Sequence, residues 1–185
     1  MKGNQKGFSL IELIVSMAIL GIIAVAEVTF ISSGSHIYRS VLNDVNLQVE
    51  AQTATNQLEN YLINCSAGVC FRDKTLYIMN QDVGGSTEYV FEFDSSTGQI
   101  NYSAYSVAVT AGGTVTRSLK ESGLMAVCVE GFSAVPETDS SGNVSSVEVT
   151  LKFSKRNASY TAVKKIALRN RPLKATTENQ MLQTA

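Results

Sequence analysis

The sequence predicts an α+β protein in which one long N-terminal helix packs on an antiparallel β-sheet. Three observations carry this prediction. Residues 8–26 contain a single charged side chain, Glu12. Apolar residues then recur at helical spacing, and no proline occurs before Pro136. Beyond residue 70, apolar and polar residues alternate in short segments separated by turn residues, which is typical of antiparallel strands.

Composition limits the class of protein. Of the 185 residues, 44% are hydrophobic, which excludes a disordered chain. Charged residues make up 17%, below the roughly 25% of an average domain, and the net charge of −1 gives no sign of a nucleic-acid partner. We expect no enzyme, because the chain has no phosphate-binding glycine loop, nucleophile elbow or zinc spacing, and its one histidine, His36, lies on the predicted helix. We read His36 as a surface or packing residue.

The N-terminal apolar segment has the length of a membrane span. A 19-residue helix is about 28 Å long, close to the thickness of the hydrocarbon core. Lys2 and Lys6 precede it and Arg39 is the next basic residue, so the positive-inside rule places the N-terminus in the cytoplasm. A signal peptide also fits, because residues 24–26, Ala-Val-Ala, form a small-x-small cleavage site, and so does a plain anchor. Neither needs Glu12, whose carboxylate is costly in hydrocarbon unless it is paired.

Residues 7–12, Gly-Phe-Ser-Leu-Ile-Glu, resemble the processing site of type IV prepilins and type II secretion pseudopilins. The resemblance implies that residues 1–7 are a leader peptide, that a prepilin peptidase cleaves between Gly7 and Phe8, and that the same enzyme methylates Phe8. It also implies that Glu12 pairs with the Phe8 ammonium of a neighbouring subunit inside the fibre. Such a buried pair would fix the register of assembly.

The same resemblance implies the partners and the location of the protein. The partners are other pilin or pseudopilin subunits, the prepilin peptidase, the inner-membrane assembly platform and, during biogenesis, the membrane. The protein would be a single-pass protein of the inner membrane and then part of a pilus or pseudopilus, at the cell surface or in the periplasm. It would serve motility, adhesion, DNA uptake or protein secretion. The alternative is a secreted or single-pass membrane-anchored β-domain binding protein whose signal peptide is cleaved after Ala26.

The first element is predicted to be one helix from about residue 8 to about residue 64. Residues 8–30 form its membrane-spanning or fibre-core half, and residues 31–64 form an amphipathic half that packs on the sheet. The apolar positions of this second half are Ile31, Tyr38, Val41, Val45, Val49, Leu58 and Leu62. Glu27 is interpreted as a solvated residue at the outer end of the span, with a contact to a basic group of a neighbouring subunit as the alternative.

Residues 65–171 are predicted to form a globular antiparallel β domain, and residues 172–185 a flexible tail. The alternation around residue 90 places Phe91 and Phe93 on a buried face, and Glu88 and Glu92 on a wet face. Strands are expected near 75–79, 87–94, 99–109, 114–119, 124–133, 144–154 and 159–169, with turns at 94–98, 111–113 and 139–143. The buried face of the sheet is expected to cover the amphipathic half of the helix. The arrangement that the resemblance implies is the type IV pilin fold.

The C-terminal part also resembles one branch of the family. A β segment near 124–135, the Val-Glu-Val-Thr-Leu strand at 147–151 and a strand that closes on 168–170 are similar to minor pilins of the W type and to J-type pseudopilins. This resemblance implies a low-copy subunit near the fibre tip.

Three cysteines, Cys65, Cys70 and Cys128, allow three single pairings. The exported topology permits disulfides. Cys65 and Cys70 enclose a short loop and are the preferred pair, while Cys128 lies in a predicted strand, where buried free thiols are common. An anaerobic host would leave all three reduced.

The segment 137–148 has the spacing of a calcium loop, with candidate ligands Glu137, Asp139, Ser141 and Glu148. Its first position is not Asp and its flanks are predicted strands, so a hairpin turn is the favoured interpretation. No other metal and no other cofactor is predicted.

Charge is segregated along the domain. Residues 75–151 contain nine acids and two basic residues, whereas residues 152–174 contain eight basic residues and no acid. The favoured interpretation is an edge strand protected by lysines, together with acidic and basic faces that match between stacked subunits. DNA binding is the alternative, and the few aromatic residues near the basic run do not favour it.

Overall fold

The computed structural model describes residues 9–82, 85–109 and 114–174. One helix, α1 (Leu10–Ile63), precedes the strands, which confirms the predicted α+β class. The strands are β1 (Gly68–Arg72), β2 (Thr75–Asp82), β3 (Gly85–Asp94), β4 (Gln99–Val109), β5 (Val115–Ala126), β6 (Val129–Thr138), β7 (Val144–Lys155), β8 (Ala158–Ala167) and β9 (Leu173–Lys174).

The chain divides into two compact units, residues 1–42 and residues 43–185. In the first unit, residues 10–42 are helical throughout. Gly21 and Gly34, which lower helix propensity, do not interrupt the helix. The second unit contains the rest of α1 and the nine strands found among the described residues.

Two sheets form in the second unit, where the sequence predicted one. The larger has the strand order β5-β4-β3-β2-β1-β9, and its pairs are antiparallel except β1 with β9. The smaller has the order β6-β7-β8 and is antiparallel. The break between β5 and β6 lies at 127–128, where Cys128 has a φ of 58°. The prediction of one strand at 124–133 was therefore wrong, because a left-handed residue that ends a strand has no signal in the apolar pattern.

The segment after the helix and the C-terminal segment both contain strands that the sequence did not predict. β1 begins at Gly68, three residues after Cys65, and includes Cys70, where a loop between the cysteines was expected; its five residues pair with β2. β9 lies in the predicted tail and pairs with β1 in parallel, and Pro172 is buried. The N–H of Val144 donates to the Pro172 carbonyl at 2.8 Å. The predicted tail is therefore anchored at least to residue 174, and its remainder lies outside the described residues.

The main core lies between the C-terminal part of α1 and the two sheets. Leu47, Ala51, Leu58 and Leu62 are no more than 2% exposed and lie on one face of the helix. They join Phe91, Leu151, Phe153 and other strand residues in one cluster. Polar contacts also hold the helix to the strands. The N–H of Val127 donates to the Glu50 carboxylate at 2.9 Å, and the Lys164 ammonium lies 2.7 Å from the Glu59 carboxylate.

The predicted packing face of the helix is only partly right. Leu58 and Leu62 are buried, but Val45 and Val49 are about half exposed. At 100° per residue, Val49 lies on the opposite side of the helix from Leu47, Ala51 and Leu58. The sequence shows two apolar stripes on this helix, and the apolar pattern alone does not say which one meets the sheet.

The turn at 94–98, between β3 and β4, is confirmed and depends on an aspartate and a glycine. Both Asp94 carboxylate oxygens accept hydrogen bonds, one from the Ser96 N–H and hydroxyl at 2.8 and 2.6 Å, the other from the Thr97 hydroxyl at 2.8 Å. Gly98 has a φ of 66°, and a Cβ there would lie 3.2 Å from the Val129 carbonyl oxygen. Both facts favour glycine at this position.

The carboxylate of Asp94 should make stability depend on acid pH. The hydroxyl and N–H of Ser96, followed by the Thr97 hydroxyl, lower the pKa of Asp94 from 3.8 to about 2. A lowered folded-state pKa contributes stability above the unfolded value, and this contribution is lost as the pH falls from 3.8 through about 2. We expect Asp94→Asn to lower the melting temperature at neutral pH and to match the wild type below pH 2. Asp44→Asn, at an exposed helical position, is the control. A melting-temperature difference between Asp94→Asn and the wild type that stays constant at all pH values would contradict this assignment.

Candidate functional site: the N-terminal helix

The start of α1 is a capping box formed by Ser9 and Glu12. The Ser9 hydroxyl accepts a hydrogen bond from the Ile11 N–H, and the Glu12 carboxylate accepts one from the Ser9 N–H, both at 3.3 Å. This reciprocal arrangement satisfies two backbone donors that a helix start otherwise leaves open. Glu12 therefore has a local partner in the single chain, which the sequence analysis missed although the Ser-x-x-Glu spacing signals it. Gly7 and Phe8, the predicted cleavage and methylation residues, lie outside the described residues.

Residues 10–31 of α1 present a mostly apolar surface. Its polar residues are Glu12, Ser16, Glu27 and Thr29. The hydroxyls of Ser16 and Thr29 each donate to the carbonyl four residues earlier, at 2.7 and 2.9 Å. These bonds satisfy the hydroxyl hydrogens without an external partner. The large apolar side chains, each 47–80% exposed, are Leu10, Ile11, Leu13, Ile14, Val15, Met17, Ile19, Leu20, Ile22, Ile23, Val25, Val28, Phe30 and Ile31. By length and composition this helix can cross a membrane, a criterion that a signal sequence also meets.

Residues 2–26 match the family model of the prokaryotic N-terminal methylation motif. The motif supports a precursor of the type IV pilin or pseudopilin kind, and it implies processing and assembly with other pilin subunits. Together with the apolar helix, it fits anchoring in a membrane before assembly. The searches of curated proteins and of solved structures found no match to the chain.

Glu27 lies within this apolar surface, and His36 lies beyond it. Glu27 and His36 are both exposed on α1. His36 lines an open groove of the same helix with Val28, Ile31 and Arg39. Its position on the surface agrees with the prediction that it is a surface or packing residue.

The predicted Cys65–Cys70 disulfide is not formed in the structure. Cys65, Cys70 and Cys128 are all free thiols. Cys65 belongs to the main core together with Val69, whereas Cys70, the next residue of β1, belongs to a second cluster with Met79 and Val107. Neighbouring residues of a strand project to opposite faces. Cys70 therefore lies on the face of β1 opposite to Val69 and Cys65, and the two thiols belong to different clusters.

Burial should make Cys65 unreactive. Its thiol is buried and lies 3.1 Å from the Gly68 carbonyl oxygen, and desolvation raises its pKa from 9.0 to about 12. The thiolate is the species that reacts with alkylating agents, so we expect alkylation of Cys65 in the folded protein to be about 1,000-fold slower than that of an ordinary thiol. Iodoacetamide labelling mapped by mass spectrometry would measure this, with half-buried Cys128 reacting first. Equal labelling of Cys65 and Cys128 in the folded chain would contradict the expectation, and all three should label alike in denaturant.

The candidate calcium loop is a hairpin turn whose acids face cations. The Asp139 carboxylate accepts the N–H groups of Ser141 and Asn143 at 2.9 and 3.0 Å, and lies 3.8 Å from the Arg171 guanidinium. Glu137 forms an ion pair with Lys165, which, with the Ser146 hydroxyl, lowers the Glu137 pKa. Among residues 9–82, 85–109 and 114–174, no group of three or more His, Cys, Asp or Glu side chains could hold a metal ion. This geometry is that of the favoured hairpin turn.

The basic C-terminal stretch is partly neutralised by acids from other elements. Lys164 pairs with Glu59, Lys165 with Glu137, and Arg171 approaches Asp139. Within the described part of the chain, no ion pair is recorded for the remaining exposed cations, which are Lys152, Lys155, Arg156 and Arg169. The positive charge that faces solvent is therefore smaller than the sequence suggested.

Glu88 is another residue whose position the sequence pattern predicted wrongly. The alternation of β3 put it on the wet face with Glu92, but its side chain is 0% exposed. It forms an ion pair with Arg117 of β5, whose guanidinium also lies 4.6 Å from the centre of the Tyr105 ring. An acidic residue in an alternating strand pattern is predicted to face solvent. Only the pairing of β3, β4 and β5 shows that Arg117 lies next to Glu88.

Proposed function

We propose that the chain is the precursor of a minor type IV pilin or a type II secretion pseudopilin, a structural subunit and not an enzyme. The observation that carries this proposal is a methylation motif on a helix whose first 20 residues expose apolar side chains. Such a surface is unstable in water. It is stable in lipid before assembly and against other subunits in a fibre. Inner-membrane insertion with a cytoplasmic N-terminus, followed by a pilus or pseudopilus, is the corresponding route.

Three residues have assigned roles in this proposal. The prepilin peptidase cleaves between Gly7 and Phe8 and methylates Phe8, and Glu12 pairs with the Phe8 ammonium of a neighbour. The capping box supports a position of the Glu12 carboxylate in the first turn, where the helix dipole stabilises a negative charge. The assembly platform of the inner membrane would extract the processed subunit. We assign no cofactor.

The processing step is tested by co-expression with a prepilin peptidase and by mass spectrometry of the intact mature protein. We expect a chain that starts at Phe8 and carries one added methyl group. Gly7→Val should leave the precursor uncut because a side chain beside the scissile bond obstructs the peptidase, whereas Gly3→Val in the same leader should be processed normally. A mature chain that starts at Glu27 would instead identify an ordinary signal peptide and the alternative β-domain binding protein.

The low-copy role rests on the resemblance of the C-terminal strands to W-type minor pilins and J-type pseudopilins. Quantitative mass spectrometry of purified fibres tests it, with this chain expected at a small fraction of the main subunit. Equal amounts of the two would contradict the minor role and leave the pilin class intact.

A further inference from the structure

The edge strand β8 has an open row of backbone groups. Among the described residues, β8 pairs with β7 alone and ends the smaller sheet. Lys155 and Ala158 are partners across a two-residue turn, so residues 158, 160, 162, 164 and 166 exchange hydrogen bonds with β7. The N–H and C=O groups of the residues between them therefore point away from the sheet. These are Ser159, Thr161, Val163 and Lys165, which we call the open edge.

A polar groove runs along this edge. It has a volume of about 480 Å³ and lies between residues 160–164 of β8 and one stripe of α1. Gln48, Gln52 and Asn56 lie at intervals of four residues on that stripe, and we call them the amide row. Amide side chains donate and accept hydrogen bonds at once. They suit the main chain of an extended peptide lying beside β8.

The lysines of β8 do not block the edge. Lysine on an edge strand normally discourages strand pairing. Here Lys164 is held by Glu59, with its ammonium 3.4 Å from the Asn56 amide oxygen, and Lys165 is held by Glu137. Both side chains are thus engaged above and below the sheet, and the backbone between them stays accessible.

The charge around the edge is positive at both ends. Lys155 and Arg156 lie at the turn before β8, and Arg169 follows its end. All three are exposed, and no ion pair is recorded for them in the described part of the chain. An extended segment of about nine residues beside β8 spans about 30 Å, so acids at its ends would lie within side-chain reach of these cations.

We propose that the open edge and the amide row bind an extended, acidic polypeptide segment of a partner protein by β-strand addition. Main-chain hydrogen bonds to Thr161 and Val163 provide the affinity, and the flanking cations select for acidic ends. This surface lies within residues 48–169 and uses none of residues 8–30, the proposed fibre-core part of α1. The proposal therefore stands or falls independently of processing at Gly7.

The test uses the full-length protein in detergent micelles and the peptide Asp-Asp-Val-Thr-Val-Thr-Val-Asp-Asp, blocked at both ends. We expect the peptide to bind, and the same core flanked by lysines to bind at least tenfold more weakly. A version N-methylated at all five core residues has no core N–H on either edge, so it cannot donate to the ladder and should not bind. Lys155→Glu combined with Arg156→Glu should weaken binding of the acidic peptide, and salt should reduce the difference.

Thr161→Pro removes one outward N–H and leaves the hydrogen bonds between β7 and β8 in place. It should weaken binding at least tenfold, whereas Thr161→Val, which keeps the N–H, should change it by less than about twofold. Circular dichroism checks the fold of each variant, and if Thr161→Pro does not fold, the N-methylated peptide gives the same answer. The proposal is overturned if the acidic peptide does not bind at about 1 mM, if the lysine-flanked or N-methylated peptide binds equally well, or if a folded Thr161→Pro binds normally.

Discussion

Glu12→Ala should abolish incorporation of the processed subunit into fibres while leaving cleavage after Gly7 intact. In the proposed assembly, the Glu12 carboxylate neutralises the Phe8 ammonium of a neighbour in an apolar environment. Removal of one partner of a buried ion pair costs about 3–5 kcal/mol, because the other charge stays buried and unpaired. This corresponds to a loss of more than about 100-fold in affinity at that contact. Immunodetection of the subunit in sheared fibres measures incorporation, and the mass of the membrane-bound protein measures cleavage.

Two further variants separate the roles of Glu12. Glu12 also caps its own helix through the Ser9 N–H, and glutamine preserves a capping box but not the charge. We therefore expect Glu12→Gln to fail in assembly as Glu12→Ala does. Glu27→Ala removes an exposed acid from the same helix and should assemble normally. Normal incorporation of Glu12→Gln would show that the charge is unnecessary and would refute the pairing.

Leu58→Ala should destabilise the β domain by about 3 kcal/mol. Leu58 is 0% exposed on α1 and packs in the main core, so truncation leaves a cavity between helix and sheets. Denaturant unfolding of the full-length protein can be followed by near-UV circular dichroism of its seven tyrosines, since the chain has no tryptophan.

Val49→Ala is the matched control for Leu58→Ala. Val49 lies on the same helix, within the same unit, but is 57% exposed. We expect this variant to lie within about 0.5 kcal/mol of the wild type. A similar loss for both variants would mean that the exposed stripe is packed in solution and that the assigned helix face is wrong.

The elements with strong periodicity could be predicted from the sequence. The long helix, the strands around Phe91 and Leu151, and the turn at Asp94 all follow from spacing and turn chemistry. β1 and the break at Cys128 could not be predicted, since short strands and a left-handed residue leave little trace in the apolar pattern. Ser9 and Glu12 could also have been predicted as a capping box from their Ser-x-x-Glu spacing.

Long-range pairing decided the remaining features. The choice between the two apolar stripes of α1 depends on which one faces the sheets, and that depends on residues far away in sequence. The separation of Cys65 from Cys70 likewise depends on the strand alternation of β1. The open edge of β8 follows from the strand order, because nothing in the sequence of residues 158–167 says which strand ends the sheet.

The ion pair of Glu88 and Arg117 affects the register in which β5 pairs with β4. Among the described residues, β5 pairs with β4 alone, and this pairing has register shifts on both sides of residues 101–104. If β5 slipped by one residue, Arg117 would turn to the other face and Glu88 would be left buried without its counter-ion. That state costs several kcal/mol even where the correct pair adds little net stability. The pair thus disfavours pairings of β4 and β5 that are out of register by one residue.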